Sequence, residues 1–452
     1  MRIQIDSRKI KAGDIFVCIQ GVEYDGHDYI EDALKLGAKY ILVEKNNFDH
    51  PKIIKIKNTK EYVKKYLNNK MKDQLKHLKI IGITGTNGKT TVTSLVYQML
   101  QNQKINCATI GTLGYQDNQT TIAQNNTTPD IITLYSYLQK AIDHHIQVVI
   151  MEVSSHGLMQ ERIGLLQFDI VAYTNLSLDH LDYHHTMDNY VKAKAKIMNH
   201  LKKSGISIYN QDDHYKKYFI SNNSFSFGYK ESDFQIIKTN TRKNATKLIF
   251  LYDTYYHVDV PFVCSYNMMN YICALAISYM TCGNLEGLIE NSYSLKLPPG
   301  RTASYTIKDA LVIIDYAHSP DAIIKVIKAF VAIKKRRLIC IVGCGGNRDS
   351  SKRPIIGNLV TKYCDYVYFT NDNPRHENPL EIISQMIGTI QTVNYEIILN
   401  RANAIKKALD HIKADDILLI LGKGHEQYQD FGDKKLKYND YDEIKKYTDT
   451  SM

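Results

Sequence analysis

The residues able to do chemistry gather in short polar segments, each placed directly after an apolar run. The most specific is KIIGITGTNGKTTVTSLVYQML at 79–100, where an apolar strand passes through Gly85-Thr86-Asn87-Gly88-Lys89-Thr90-Thr91 into an amphipathic helix. Backbone N–H groups of such a loop, backed by the positive end of the helix, form a concave anion site. Lys89 can then reach the terminal phosphates of a nucleotide, and the Thr90 hydroxyl can hold Mg²⁺. The strict phosphate-loop pattern asks for a glycine where Ile83 stands, and Gly82 lies one residue further back, so the general motif is matched only in its Gly-Lys-Thr core. A glycine-rich turn with no ligand is the bland alternative, and the strand–loop–helix setting argues against it.

A second segment, VVIMEVSSHGLMQERI, puts Glu152 at the carboxyl end of a predicted strand, with Ser154 and His156 following on the same loop. In an open parallel sheet that edge is where ligands bind. A carboxylate facing a phosphate loop there is placed to hold magnesium. Alone, Glu152 or His156 would read as a solvated loop residue. The third segment, YTNLSLDHLDYHHTMDNYVKAKAKIM, clusters Asp179, His180 and Asp182 before a helix bearing Lys192, Lys194 and Lys196. Read alone, the cluster is a weak metal site and the lysines are a solvated face. A bare ammonium near a metal is repulsive, so a functional lysine here needs its charge changed. Carbamylation by CO₂ would make it an anionic oxygen ligand. Four further loops follow predicted strands: Asp315 to Pro320, Gly343 to Asp349, Thr370 to Arg375 and Gly422 to Glu426. Their convergence on one rim would suit a zwitterionic ligand, Arg348 and Arg375 pairing with carboxylates and Glu426 with an ammonium.

The elements that must position these groups fall into three stretches. Residues 1 to about 78 hold short strand-like runs (IFVCI, YILVE, KIIKI) and a lysine-rich helix whose apolar residues, Val63, Leu67 and Met71 among them, recur near helical spacing. From His77 a strand–loop–helix alternation begins, which argues for a parallel sheet covered by helices. Between Phe225 and Val260 it lapses into polar-interleaved strands, expected to be an antiparallel addition. LKLPPGR, ending at Arg301, is a Pro/Gly boundary, after which the alternation resumes as a second doubly wound domain. The expectation is an α/β protein of three domains. These are a small N-terminal α/β domain (1–78), a central doubly wound ATPase domain of phosphate-loop type (79–301) and a C-terminal Rossmann-like α/β domain (302–452).

Composition excludes several classes. Apolar content of 44% and charged content of 23% belong to a globular chain, not a disordered one. No apolar run approaches the roughly 20 residues needed to cross a bilayer. The first residues lack a secretory signal pattern. A cytoplasmic protein without membrane insertion is expected. Eight scattered cysteines without a CxxC pair read as reduced core thiols. The net charge of +10 could suggest nucleic acid, but the basic residues and the tyrosines are spread along the chain instead of forming one stripe. No nucleic-acid partner is expected.

Together the segments GTNGKTT, EVSSHGL, TNLSLDHLDYH, Ala193-Lys194, NMMN, PPGR, DYAHSPDA, GCGGNRD, DNPR and GKGHE occur in the order found in the Mur ligase family. The chain resembles that family over nearly its whole length, including DSR at 6–8 and AGDIFV at 12–17. The nearest branch is the one that completes the UDP-N-acetylmuramoyl-tripeptide of peptidoglycan synthesis. This resemblance implies an ATP-dependent acid–amino-acid ligase acting through an acyl phosphate, in which Gly85 to Thr91 hold ATP. It places one magnesium ion on Thr90 and Glu152 and a second near His180 and a carbamylated Lys194 (N6-carboxylysine). Lys89, Lys194, His180 and Glu152 are thereby the expected catalytic set. By the same carry-over, Ile5, Ser7, Val22, Glu23 and Tyr24 contact the uridine end. Asn126, Thr127, Thr128, Ser154, Gln160 and Arg162 line the muramoyl-peptide path. Asn270, Arg301, Asp315 and His318 complete the nucleotide site.

Arg348, Asp372, Asn373, Pro374, Arg375, Gly422 and Glu426 would receive the incoming amino acid. In that family an arginine at the position of Arg375 goes with meso-diaminopimelate. The physics agrees, because this amino acid is lysine with an extra far carboxylate, which a buried cation would select. The alternatives are L-lysine or another amino acid, or a ligase like folylpolyglutamate synthase, which leaves the DSR-containing first domain unexplained. The chain departs from the family pattern at Tyr266-Asn267-Met268-Met269-Asn270, where the usual upstream glycine is missing, and at Thr302-Ala303-Ser304, where a glutamate is usual. Its expected partners are small molecules, UDP-MurNAc-L-Ala-D-Glu and meso-diaminopimelate, and its expected state is a monomer.

Overall fold

The apolar runs KIIGIT, VVIME, LICIV and ILLIL each become a strand paired parallel to a neighbour. The computed structural model describes residues 2–21, 24–45, 49–124, 126–241 and 245–450, apart from the side chains of Asp182 and Thr450. At the N-terminus the strands Ile3–Gln4, Ile15–Val17, Tyr40–Val43 and Ile53–Lys55 pair in chain order, all parallel. Phe16, Ile30, Ala33, Ile41 and Val43 form their core. The lysine-rich segment is the helix Thr59–Leu75, capped by Asn58, whose side chain accepts from the Glu61 N–H. It buries Val63, Leu67 and Met71 as the spacing predicts. Its Lys64 bridges Glu61 at 3.0 Å and Glu161 at 3.1 Å.

Internal contacts divide the chain into two compact units, residues 1–84, 105–171 and 193–206 in one and 85–104, 172–192 and 207–452 in the other. Within the first, Lys79–Thr84 and Cys107–Gly111 both pair parallel with Val148–Glu152. Gly114–Gln116 and Thr121–Ile122 extend the sheet antiparallel. The crossover helix Ile131–Asp143 starts at Asp130, whose carboxylate accepts from the Thr133 N–H. All five residues of Val148–Glu152 are buried, as expected of a strand covered on both faces.

In the second unit the helix Lys89–Asn102 packs on the helix Ser265–Cys282. The expected antiparallel addition is only half antiparallel. Ser224–Gly228 runs parallel to Ser207–Asn210, and Phe234–Thr241 enters parallel to Ser224–Gly228. Thr246–Leu251 and Tyr255–Val260 then complete an antiparallel meander. Polar–apolar alternation is the same for either strand direction, so direction was not readable there. The tight crossover is pinned by carboxylates: Asp212 accepts from the N–H groups of Tyr229 and Lys230, and Asp233 from the Ser226 N–H and hydroxyl.

The last sheet has the spatial order Ala303–Ile307, Ala310–Asp315, Ile417–Leu421, Leu338–Val342, Tyr366–Phe369, Tyr395–Ile397. Only the first strand is antiparallel to its neighbour. The helices Pro320–Val331, Lys352–Tyr363 and Pro379–Ile387 cover one face and Arg401–His411 the other. Three elements were not anticipated: the helix Ser265–Cys282, the hairpin Tyr428–Asp430 with Lys435–Lys437, and the closing helix Asp440–Thr450. That closing helix is anchored by a buried pair in which Arg401 Nε and Nη2 donate to Asp440 at 2.7 and 2.8 Å. None of the eight cysteines is in a disulfide, and burial pushes the Cys107 thiol up to about 12. Among the described residues no helix is long and apolar enough to cross a membrane.

Candidate active site

The phosphate-loop candidate is held by the segment that follows the strand Phe168–Tyr173. The N–H of Thr86 donates to the Asn175 carbonyl at 2.7 Å, and the N–H of Asn87 to Asn175 Oδ1 at 3.1 Å. Thr174 and Asn175 side chains donate to the Asn87 carbonyl at 2.6 and 3.0 Å. The loop is thus a braced shape. Gly88 has φ +88°, and a Cβ there would run into Asn270 Oδ1, so glycine is required at the point where the helix Ser265–Cys282 comes closest. Lys89 folds over the loop, its Nζ donating to the carbonyls of Gly85 at 2.8 Å and Thr86 at 2.9 Å. Thr90 and Thr91 are buried in the first turn of the helix Lys89–Asn102.

Beside the loop lies a cavity of about 730 Å³. Its walls bring together Asn87, Gly88, Thr91, Asn270, Arg301, Asp315 and His318 from the expected nucleotide set. The Asp315 carboxylate accepts from the N–H and hydroxyl of Thr302 and from the Ala317 N–H, at 2.7, 3.0 and 2.8 Å. Burial pushes its pKa up, and Arg301 opposes this most strongly. Thr302, a departure from the family pattern, therefore bonds with Asp315 here. The Arg301 guanidinium lies 4.7 Å over the Tyr316 ring, which also meets the rings of His318 at 4.8 Å and His425 at 5.1 Å. Among the described residues, Arg301 Nε and His425 Nδ1 are buried atoms without a hydrogen-bond partner. An orphaned guanidinium donor on a cavity wall fits an anionic ligand.

Sequence reasoning missed much of the cavity's other wall: Thr239 and Thr241 of the strand Phe234–Thr241, and Lys325 and Lys328 of the helix Pro320–Val331. The available signal was Ala322 and Ala329, seven apart on one helix face, which permit close approach. His180 has φ +54°, is about half exposed, and meets the Tyr190 ring edge-on at 6.1 Å. Tyr190 in turn contacts Thr86 Oγ1 at 3.2 Å. The side chain of Asp182 lies outside the described set.

In the first unit a connected network surrounds Glu152. This carboxylate, 1% exposed, accepts from the Thr112 N–H at 2.8 Å and the Thr112 hydroxyl at 3.1 Å. A Cβ on Gly111 would run into Glu152 Oε1, which explains a glycine at the end of that strand. Thr112 Oγ1 contacts Thr127 Oγ1 at 3.1 Å, and the Thr128 hydroxyl donates to the Glu152 carbonyl at 3.0 Å. The Ser154 N–H donates to Thr128 Oγ1 at 2.9 Å, Arg162 Nη1 donates to the Thr128 carbonyl at 2.8 Å, and Gln160 accepts from Arg162 Nε at 2.9 Å. The Asn126 carbonyl joins through Gln124, whose Nε2 donates to it at 2.7 Å. Gly111, Thr112 and Gln124 were not singled out from the sequence.

Lys194 departs most sharply from the plain reading of its segment. It is 1% exposed, whereas Lys192 and Lys196 on either side are exposed, so it is not part of a solvated face. A second cavity, of about 860 Å³, gathers Ile5, Ser7 and Tyr24 with Tyr66, Lys70 and Tyr135. Val22 and Glu23 lie outside the described residues.

The loops of the last sheet meet one another. The Gly346 N–H donates to the Asn373 carbonyl at 2.9 Å and the Gly422 N–H to the Asp315 carbonyl at 3.1 Å. Arg375 Nη1 donates to the Gly346 carbonyl at 2.6 Å, with Nε 3.7 Å from Asp430. Arg348 is exposed. Pro374 follows Asn373 in the same turn, its carbonyl accepting from the Glu377 N–H. Burial pushes the pKa of Asp372 up, against the pull of Lys423. Glu426 is the residue expected to pair with a ligand ammonium. Its Oε2 accepts from buried Lys423 at 2.7 Å and from Asn373 Nδ2 at 2.8 Å. Gly-Lys-Gly gave no sign that its lysine would be buried.

No cluster of three His, Cys, Asp or Glu side chains able to hold a metal is present among the described residues. Glu152 and the Thr90 hydroxyl are nonetheless hard oxygen donors, which suits magnesium, an ion that takes most of its ligands from phosphates and water.

Three family models cover successive parts of the chain. "Mur ligase family, catalytic domain" matches residues 2–74, "Mur ligase middle domain" 83–278 and "Mur ligase, glutamate ligase domain" 300–424. A Clostridium acetobutylicum protein named UDP-N-acetylmuramoyl-L-alanyl-D-glutamate–2,6-diaminopimelate ligase 1 is 35% identical over 455 residues, covering 98% of this chain and 94% of that one. A solved structure of a UDP-N-acetylmuramoyl-L-alanyl-D-glutamate–2,6-diaminopimelate ligase superposes with a TM-score of 0.70 at 30% identity, covering 100% of this chain and 95% of that chain. The MurF ligase of Thermotoga maritima in complex with ADP shares the fold, with a TM-score of 0.66 at 20% identity over 93% of each chain. The chain belongs to the Mur ligase family.

Proposed function

We propose that this chain adds meso-2,6-diaminopimelate to UDP-N-acetylmuramoyl-L-alanyl-D-glutamate with consumption of ATP, as a cytoplasmic monomer of three domains (1–78, 79–301 and 302–452). The observation that carries the reading is Arg375, which projects beside Gly345 and Gly346 with a cationic fork, next to the Asn373–Glu426–Lys423 network. Relatives that carry the diaminopimelate-ligase name over nearly the whole chain support it.

The chemistry then follows from charge. A carboxylate is a poor electrophile, so the terminal D-glutamyl carboxylate first attacks the γ-phosphorus of ATP, and ADP leaves. The amine of diaminopimelate next attacks the acyl carbon. The C–N bond forms, the bond to phosphate breaks, and a proton is lost from nitrogen. The braced loop presents its N–H groups to the nucleotide, and Lys89 leaves the Gly85 and Thr86 carbonyls to neutralise the transferring group. Magnesium, when bound, supplies further charge neutralisation; Thr90 and Glu152 would hold one ion, and His180 with a carbamylated Lys194 the second. Arg301 and Asn270 would orient the nucleotide from the cavity wall. Arg375 and Arg348 would take carboxylates of the amino acid, and Glu426, shared with Lys423, its ammonium.

Arg375→Ala tests the amino-acid assignment. Loss of a charge-assisted pair is worth a few kcal/mol, so KM for diaminopimelate should rise about a hundredfold while KM for ATP stays within about twofold. Phosphate release at varied concentrations of each substrate measures both. An unchanged KM for diaminopimelate would remove Arg375 from the pocket.

A further inference from the structure

Resting on the reading above, we propose that His425 is the group that accepts the proton released when the incoming amine attacks the acyl phosphate. Three observations place it there. First, His425 adjoins Glu426, which belongs to the Asn373–Lys423 network of the amino-acid loops. Second, its ring packs at 5.1 Å on Tyr316, a wall of the nucleotide cavity whose ring also carries Arg301. Gly300, at φ +68°, stands so close that a Cβ there would run into the backbone N of His425, so the 422–426 loop is seated against the Gly300–Arg301 corner. The residue therefore joins the two places from which the reactants must meet. Third, His425 Nδ1 is buried without a hydrogen-bond partner, although buried polar atoms are nearly always paired. A nitrogen held in this way is ready for a partner that arrives with the substrates.

The imidazole is suited to accept. Burial, reinforced by Arg301 and opposed by Glu426, pulls its pKa down to about 4, so it is the free base at neutral pH. A nucleotide phosphate at Arg301 would cancel part of that cation's effect and make His425 more basic when ATP is bound. In the step itself the amine lone pair forms the C–N bond. The electron pair of the C–O bond leaves with phosphate. The N–H proton of the addition complex passes to His425 Nδ1 and from there to solvent. No other reactant is needed. His318, the other histidine on Tyr316, has its Nδ1 at 2.9 Å from the Tyr316 carbonyl and is committed to it.

The test separates the two half-reactions. Hydroxylamine is unprotonated at neutral pH and traps acyl phosphates as hydroxamates without a base, so it reports the first step alone. With UDP-MurNAc-L-Ala-D-Glu and ATP, His425→Gln should form hydroxamate at close to the wild-type rate. Its ligation of diaminopimelate should fall about a hundredfold or more, the usual worth of a general base. The retained first step also shows that the variant is folded. Equal losses in both assays, or no loss in either, would overturn the proposal. Wild-type enzyme that forms no hydroxamate from this substrate would instead overturn the substrate assignment.

Discussion

Replacing Lys89 by alanine is expected to abolish ligation and leave the fold intact. The loop is braced without this side chain, since the Thr86 and Asn87 N–H groups and the Asn87 carbonyl are all bonded to Thr174 and Asn175. The ammonium instead lies over the Gly85 and Thr86 carbonyls of the loop. Removing a preorganised cation from a site of phosphoryl transfer costs about a thousandfold in turnover. The thermal midpoint should stay within about 3 °C of wild type, because no packed core group is lost. Phosphate release and a melting curve decide it. Near-normal turnover in this variant would remove the phosphate-loop assignment.

The second large effect concerns Lys194. Lys194 is 1% exposed, whereas its neighbours Lys192 and Lys196 show that the segment offers exposed positions. Carbamylation would turn the nitrogen into an anionic oxygen donor, the form that the proposed mechanism calls for. Lys194→Ala should be nearly inactive, and a short carboxylic acid such as acetate should restore part of the rate by occupying the place of the missing carboxyl group. Lys192→Ala and Lys196→Ala should stay close to wild type, as surface substitutions do. A crystal structure grown with ample bicarbonate that shows an unmodified Lys194 amine would defeat the idea.

What was legible beforehand follows from the period of the signal. Strands such as Val148–Glu152 and helices such as Ile131–Asp143 declare themselves by apolar run and periodicity, and the polar loops that follow them were found with them. Groups set by tertiary contact were not legible. Lys192, Lys194 and Lys196 look alike in sequence, and only the middle one is buried, along with Ala193 and Ile197. Lys423 and Glu426 stand three apart as in any surface pair, yet the lysine is fully buried beneath Asn373. The cavity wall formed by Thr239, Thr241, Lys325 and Lys328 comes from elements far apart in the chain, and none of these residues carries a motif. Gly111 was overlooked although a glycine ending a strand often marks a close approach, here that of Glu152.

The most direct measurement is the mass of the product. Purified protein is given UDP-MurNAc-L-Ala-D-Glu, ATP, and meso-diaminopimelate and L-lysine at equal concentrations, with folate plus glutamate and single-stranded DNA as separate challenges to its ATPase. One new species is expected, the dipeptide nucleotide joined to diaminopimelate through an amide, with ADP and phosphate formed in step and no stimulation by folate or DNA. A product carrying lysine would contradict the role given to Arg375, and the absence of any amide product would contradict the ligase reading itself.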